Sequence, residues 1–116
     1  MATVIYRQAD RSDILSMARL RALHSGTEES WRGQIGRYMD CEHHPQQALM
    51  QRVVYVSVES ASVVGLIAGH LTRRYACDGE LQWIDVIPQC RGTGIASKLL
   101  RRVAEGSLNK ERSGFV

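Results

Sequence analysis

The sequence predicts an α/β (α+β) domain in which a mixed, mostly antiparallel sheet is flanked by helices. Three observations carry that expectation. Residues 80–103 read as a strand, a glycine-bearing turn and an amphipathic helix; residues 53–75 read as a β-hairpin; and residues 10–39 hold helical patterns ahead of both. At 116 residues and 44% hydrophobic, the chain has the size and apolar content of one domain with its own core.

Each element has a local reason. Thr3 to Gln8 alternates as a first strand, Val4 and Tyr6 against Ile5 and Arg7. Asp10-Arg11-Ser12-Asp13 supplies N-cap residues for a helix through about Leu23, with Ile14, Leu15, Met17, Ala18 and Ala22 as its apolar set. His24-Ser25-Gly26 ends it. Thr27 starts a second helix, but Ser30 stands where a capping box needs Glu or Gln, so the cap is half formed. Trp31, Ile35, Tyr38 and Met39 make its apolar face.

Cys41-Glu42-His43-His44 suggests a metal site only superficially. Adjacent histidines point apart on a helix and no ligand pair at i+4 supports them, so no metal is expected. Pro45 can open a short helical turn. Val53–Glu59 is a β-branched strand, Ser60-Ala61-Ser62 a turn, and Val63–Tyr75 a longer strand running back antiparallel. Gly65 and Gly69 interrupt that strand and point to a bulge or a close approach. Cys77-Asp78-Gly79 turns the chain into the strand Glu80–Ile87. Simple alternation places Glu80, Gln82, Ile84 and Val86 on one face of it, and Leu81, Trp83, Asp85 and Ile87 on the other. The last helix carries Ile95, Leu99, Leu100 and Val103 at helical spacing, and Glu105-Gly106-Ser107-Leu108-Asn109 is expected to break it.

Composition narrows the function. The formal net charge of +3 is mild and the basic residues are scattered, apart from Arg73-Arg74 and Arg101-Arg102. A dedicated nucleic-acid binder would concentrate them in a stripe interleaved with aromatics, so nucleic acid is not expected as a partner. The sequence has no apolar run of membrane-spanning length and no basic-then-apolar leader. Three widely spaced cysteines without a Cys-x-x-Cys read as reduced thiols, which implies a cytoplasmic protein.

The chemistry is concentrated in Val86-Ile87-Pro88-Gln89-Cys90-Arg91-Gly92-Thr93-Gly94-Ile95-Ala96. A strand, turn and helix in that order leave N–H groups unpaired at the helix start, where the dipole also favours an anion such as a phosphate. Gly92 and Gly94 carry no Cβ and let the main chain come close to it. A Rossmann motif is excluded because Ser97 stands at its third glycine, and a P-loop because no Gly-Lys-Ser/Thr closes the turn.

Gln89-Cys90-Arg91-Gly92-Thr93-Gly94 resembles the acyl-CoA signature of the GNAT superfamily of N-acetyltransferases, Gln/Arg-x-x-Gly-x-Gly/Ala. Val-x-Pro before it and Ile-Ala-x-x-Leu-Leu after it fit the same family. The order β-α-α-β-β-β-α is similar to the N-terminal two-thirds of the GNAT fold. The family's C-terminal strand-helix-strand, with its usual catalytic tyrosine, has no counterpart here, so the expectation is a single GNAT-like domain over residues 1–116, C-terminally incomplete. The closing Ser-Gly-Phe-Val resembles the Gly-Phe after the family's last helix, which leaves internal deletion open beside an early stop. An uncovered fourth strand in turn implies a homo-oligomer.

The resemblance implies acetyl transfer from acetyl-CoA, as cosubstrate, to a primary amine of a small molecule, peptide or protein by direct attack. Two alternatives stand beside it: a truncated, weak or inactive acyl-CoA-binding relative, and, more remotely, a basic RNA-interacting protein. The resemblance places the pantetheine arm on the main chain of Val86 and Ile87. The pyrophosphate falls to the N–H groups of Arg91, Gly92, Thr93, Gly94, Ile95 and Ala96, with a charge-assisted contact from the Arg91 side chain. Glu80 matches the position of a general base in histone-acetylating relatives, and Asp85 is the second candidate; each also has a plainer reading, Glu80 as a solvated strand end and Asp85 as a carboxylate paired with an arginine. The acceptor, which the sequence does not identify, is expected near the His24–Trp31 loop.

Overall fold

The computed structural model describes residues 3–40, 52–71 and 79–107. Strand β1 (Val4–Gln8) leads through a 3-10 turn into helix α1 (Ile14–Ala22), and α2 (Glu28–Met39) follows. Strands β2 (Arg52–Glu59), β3 (Ser62–Leu71) and β4 (Gly79–Val86) precede helix α3 (Ile95–Ser107). The four strands form one sheet in the order β1-β2-β3-β4, and every described pairing is antiparallel. The expected Cys41–His44 segment, the Pro45 turn, the far end of the long hairpin strand and Cys77-Asp78 lie outside the described residues.

The sheet is covered on both faces. Met17, Ala18 and Leu20 of α1 and Ile35 and Tyr38 of α2 pack on Val54, Val56, Leu66, Ala68 and Trp83. On the opposite face Ile95, Leu99 and Val103 of α3 pack on Val64, Ile67 and Val86. The three α3 residues are spaced four apart, which is the stripe a helix needs to bury one side only.

Capping side chains fix where the helices start. The Asp10 carboxylate accepts from the Ser12 N–H at 2.8 Å, and the Asp13 carboxylate accepts from the Asp10 N–H at 2.9 Å. Arg7 grips Asp13 with two hydrogen bonds of 2.8 and 2.9 Å, tying β1 to the α1 start. Those bonds, with the Asp10 N–H, hold the Asp13 carboxyl below its ordinary pKa against the opposing effect of burial. At α2, Thr27 Oγ1 accepts from the Ser30 N–H at 3.1 Å, the half cap that the sequence indicates.

Two bulges depart from simple alternation, and both shape the end of β4. Ser57 faces Gly65 but Val58 faces Val63, so Val64 has no partner across β2. Ala68 faces Trp83 but Gly69 faces Leu81, so Gln82 is the extra residue of β4. The second bulge corrects the expected faces: Leu81 packs on the α3 side with Ile84 and Val86, while Trp83 lies on the α1–α2 side. Gly65 meets the expectation of close approach. A Cβ there would come within 2.5 Å of Ser57 Oγ and 3.2 Å of both the Asp85 carbonyl oxygen and Leu99 Cδ1. The hairpin turn is tighter than expected, because Ser62 already belongs to β3 and only Ser60 and Ala61 turn the chain, both at positive φ. Helix α3 reaches Ser107, inside the Glu105–Asn109 stretch where its break is expected; it passes Gly106 because a single glycine costs about 1 kcal/mol in a helix, less than the packed stripe before it supplies.

Candidate active site

At the end of β4 the Ile87 N–H donates to the Val64 carbonyl at 2.9 Å. With Val86 opposite Gly65, this makes Ile87 and Val64 the hydrogen-bonded pair and Val86 and Gly65 the non-bonded one. The N–H and C=O of Val86, and likewise of Ile84, therefore point away from β3 toward the open edge of the described sheet. Ile87 is placed differently: its N–H is engaged by Val64 and its carbonyl accepts from the Cys90 N–H at 3.0 Å.

Pro88–Cys90 form a 3-10 turn, and the chain then swings through Gly92 at φ +81° and Gly94 at φ +86° into α3. Only glycine takes these angles without strain. A Cβ at either position would meet nothing within 4 Å, so both glycines face open space. Thr93 Oγ1 donates to the Cys90 carbonyl at 2.5 Å, which braces the loop. The first intrahelical bond runs from the Lys98 N–H to the Gly94 carbonyl at 3.1 Å. The N–H groups of Ile95, Ala96 and Ser97 accordingly lack a partner in the helix.

These parts enclose a cleft of about 380 Å³ running from Ile84, Asp85 and Val86 to Gly92, Gly94, Ala96 and Ser97. One end carries outward main-chain groups and the other a helix N-terminus. Of the expected cofactor residues, Val86, Arg91, Gly92, Gly94, Ile95 and Ala96 line it. Arg91 lies differently from the expectation. Its N–H is bonded to the Pro88 carbonyl at 3.3 Å, and its side chain folds back so that Nε donates to the Val86 carbonyl at 3.1 Å. Ser97, which also lines the cleft, was not among the expected cofactor residues, although counting one residue further into the helix would have found its N–H.

The two candidate carboxylates diverge. Glu80 lies in β4 opposite His70. Asp85 is buried, with its side chain 3% exposed, and both oxygens are engaged: Oδ2 by Arg21 Nη1 at 2.7 Å and Oδ1 by His24 Nε2 at 3.0 Å. The plainer sequence reading of Asp85, a carboxylate paired with an arginine, is the one the geometry shows. Arg21 in turn lies over the Trp31 ring at 4.4 Å, and Trp31 meets Trp83 edge-on at 5.6 Å. Trp31 Nε1 donates to the Ser25 carbonyl at 2.7 Å, and a Cβ on Gly26, which sits at φ +75°, would come within 2.9 Å of that nitrogen. Arg21 and His24 were beyond reach from sequence, because 64 residues separate Arg21 from Asp85.

The chain belongs to the GNAT family of acetyltransferases, whose profile, described as "Acetyltransferase (GNAT) family", matches residues 19–112. No curated protein matches it. Among solved structures it is similar to the aminoglycoside N-acetyltransferase AAC(6')-Iy in complex with CoA: 14% identity, 100% of this chain and 76% of that one, TM-score 0.76. A protein of Clostridium acetobutylicum described as a predicted acetyltransferase, solved with acetyl-CoA, matches at 19% identity over 98% of this chain and 79% of that one, TM-score 0.64. A GNAT-family protein of Desulfovibrio desulfuricans matches at 17% identity over 89% of this chain, TM-score 0.66, and this chain spans 65% of its length. At these identities the likeness is one of fold. Among the described residues no helix is long and apolar enough to cross a membrane.

The Asp85 cluster makes a stability prediction. Asp85→Ala leaves Arg21, with a side chain only 18% exposed, without its carboxylate. Stability should fall by about 3–5 kcal/mol, the usual cost of removing one partner from a buried ion pair. Urea unfolding checks it, and a loss under about 1 kcal/mol would mean that water replaces the carboxylate at no great cost.

Proposed function

We propose that this chain binds acetyl-CoA in the β4–α3 cleft and transfers its acetyl group to a primary amine. The observation that carries the reading is the pairing of two features in one cleft: outward main-chain groups at Ile84 and Val86, and unpartnered helix-start N–H groups at Ile95, Ala96 and Ser97. The first suits a ligand with amide groups, such as pantetheine, and the second suits a diphosphate. Arg91 is within side-chain reach of both and would exchange its bond to the Val86 carbonyl for a phosphate when the cofactor enters. The solved relatives holding CoA or acetyl-CoA support the ligand class.

Acetyl transfer asks little covalent chemistry of the protein. An alkylammonium of pKa near 10.4 must lose a proton before its nitrogen can attack the thioester carbon. Glu80 is assigned that role by the family resemblance, and its place on β4, the strand lining the cleft, is compatible with it. As the carbonyl oxygen gains charge, the Val86 N–H at the open edge would donate to it. The acceptor would enter beside the α1–α2 loop, and the aminoglycoside acetyltransferase among the similar structures supports a small-molecule amine. Self-association through the β4 edge belongs to the same reading: light scattering should return a dimer, and a monomer at micromolar concentration would remove it.

CoA at about a hundredfold above its Kd should stabilise the protein by about 2.7 kcal/mol, or roughly 10–20 °C in melting temperature for a domain this small. Gly94→Val should abolish that shift, because its side chain would stand in the open cleft at a φ of +86° that a β-branched residue resists. Equal shifts in both proteins would remove the phosphate assignment. Glu80→Gln should lower thiol release from acetyl-CoA by about 10²-fold while leaving the CoA-induced shift unchanged. Undiminished turnover at saturating amine would return Glu80 to a structural position.

A further inference from the structure

Arg101 and Arg102, an adjacent basic pair in the sequence, have no part in the cofactor reading. With Lys98 they stand at positions i, i+3 and i+4 of α3, so the helix carries all three on one flank. Together with Tyr6 of β1 they line a second cavity, of about 420 Å³. No residue that lines it also lines the β4–α3 cleft. The helix itself separates the two. At about 100° per residue, Lys98, Arg101 and Arg102 fall on one side of the buried stripe of Ile95, Leu99 and Val103, and Ala96 of the cleft falls on the other.

The charge of this cavity is uncompensated. Arg7, Arg11, Arg19 and Arg21 each hold a carboxylate, whereas the exposed side chains of Lys98, Arg101 and Arg102 make no hydrogen bond or ion pair among the described residues. Glu59, which faces Val4 across the β1–β2 ladder, joins none of them. Like charges at these helical spacings repel and weaken the helix, and a bound anion removes that repulsion. Tyr6 adds a neutral donor. It is half-buried, with Lys98 Nζ 6.0 Å from its ring centroid. Burial raises its pKa, against the opposing charge of Arg102, so the phenol keeps its proton at neutral pH and can donate it. We propose that this cavity is an anion site, separate from the cofactor cleft, for a small ligand bearing a diphosphate. Lys98 to Arg102 spans about 6 Å along the helix axis. That footprint suits two adjacent phosphate groups, whose oxygens a guanidinium grips two at a time. An extended nucleic acid asks instead for a long basic stripe interleaved with aromatics. The inference does not depend on acetyl transfer, because the two sites share no residue.

The test is a calorimetric titration of inorganic pyrophosphate into the intact chain, in excess CoA so that the cleft is filled. The double variant Arg101→Gln/Arg102→Gln should weaken binding by about tenfold or more, the worth of a charged hydrogen bond. Arg32→Gln/Arg37→Gln removes as much exposed charge from α2 and should change the affinity by less than about twofold. Ligand-free melting curves that match wild type show that both variants fold. Equal weakening in the two pairs would reduce the effect to net charge and overturn the site. Binding lost in Gly94→Val but kept in Arg101→Gln/Arg102→Gln would place pyrophosphate in the cleft, overturning the second site and leaving the cofactor reading intact. No pyrophosphate binding at all would overturn it too, and retention of heparin in that case would make the flank a surface for an extended polyanion. A second arm replaces pyrophosphate with ADP. Tighter binding of ADP, lost in Tyr6→Leu, assigns the diphosphate to a nucleotide, and equal binding assigns it to a free diphosphate.

Discussion

The hydrogen bond from the Ile87 N–H to the Val64 carbonyl is the constraint on which the site depends. It closes the β3–β4 ladder at its last rung and, by the alternation of an antiparallel pair, directs the Val86 main chain outward. It also fixes where the strand stops, so that Pro88 begins a turn and the helix starts with its unpaired N–H groups beside the strand end. Val64, the extra residue of the β2–β3 bulge, accepts the bond, and Gly65 beside it lacks the Cβ that would stand 3.2 Å from both Leu99 Cδ1 and the Asp85 carbonyl oxygen. A strand end, a bulge and a missing Cβ thus combine to set one cleft.

The two faces of the sheet divide the labour. The α3 side is apolar beneath the helix, since Ile95, Leu99 and Val103 anchor it on Val64, Ile67 and Val86, and the helix start leaves N–H groups without an intrahelical partner. The α1–α2 side carries charge within an aromatic frame: Asp85, Arg21 and His24 among Trp31 and Trp83. A buried ion pair of this kind contributes little to net stability against an apolar alternative. Its value lies in orientation, because a carboxylate gripped on both oxygens has one position available. The cleft sits where the two faces meet at the edge of β4.

What was legible in the sequence was local. The glycine turn could be read because Gly92 and Gly94 answer a backbone requirement within six residues of the helix they start. Helix starts at Asp10 and Thr27 were readable for the same reason. The faces of β4 were not, because alternation assumes one partner per residue and Gln82 has none; that bulge is set by the register with β3, far away in sequence. The sequence glycines at 65 and 69 signalled irregularity without saying which strand would carry the extra residue. The Asp85 cluster was less legible still. Arg21 and His24 are ordinary residues at a helix end until the fold brings β4 beneath them. For Ile87 and Arg91 the motif does not show that both N–H groups are already bonded, to the Val64 and Pro88 carbonyls, nor that the Arg91 side chain folds back on the Val86 carbonyl.

The central claim is that a CoA diphosphate rests on the start of α3 with its pantetheine arm along the β4 edge. Backbone amide NMR during a CoA titration tests it most directly, because each N–H reports its own hydrogen bonding. The account predicts the largest downfield shifts at Ile95, Ala96 and Ser97, a further large shift at Val86, and little change at Ile87 and Arg91, whose N–H groups are already bonded. Saturating CoA that leaves the α3 amides unmoved, or shifts confined to another face of the sheet, would contradict it.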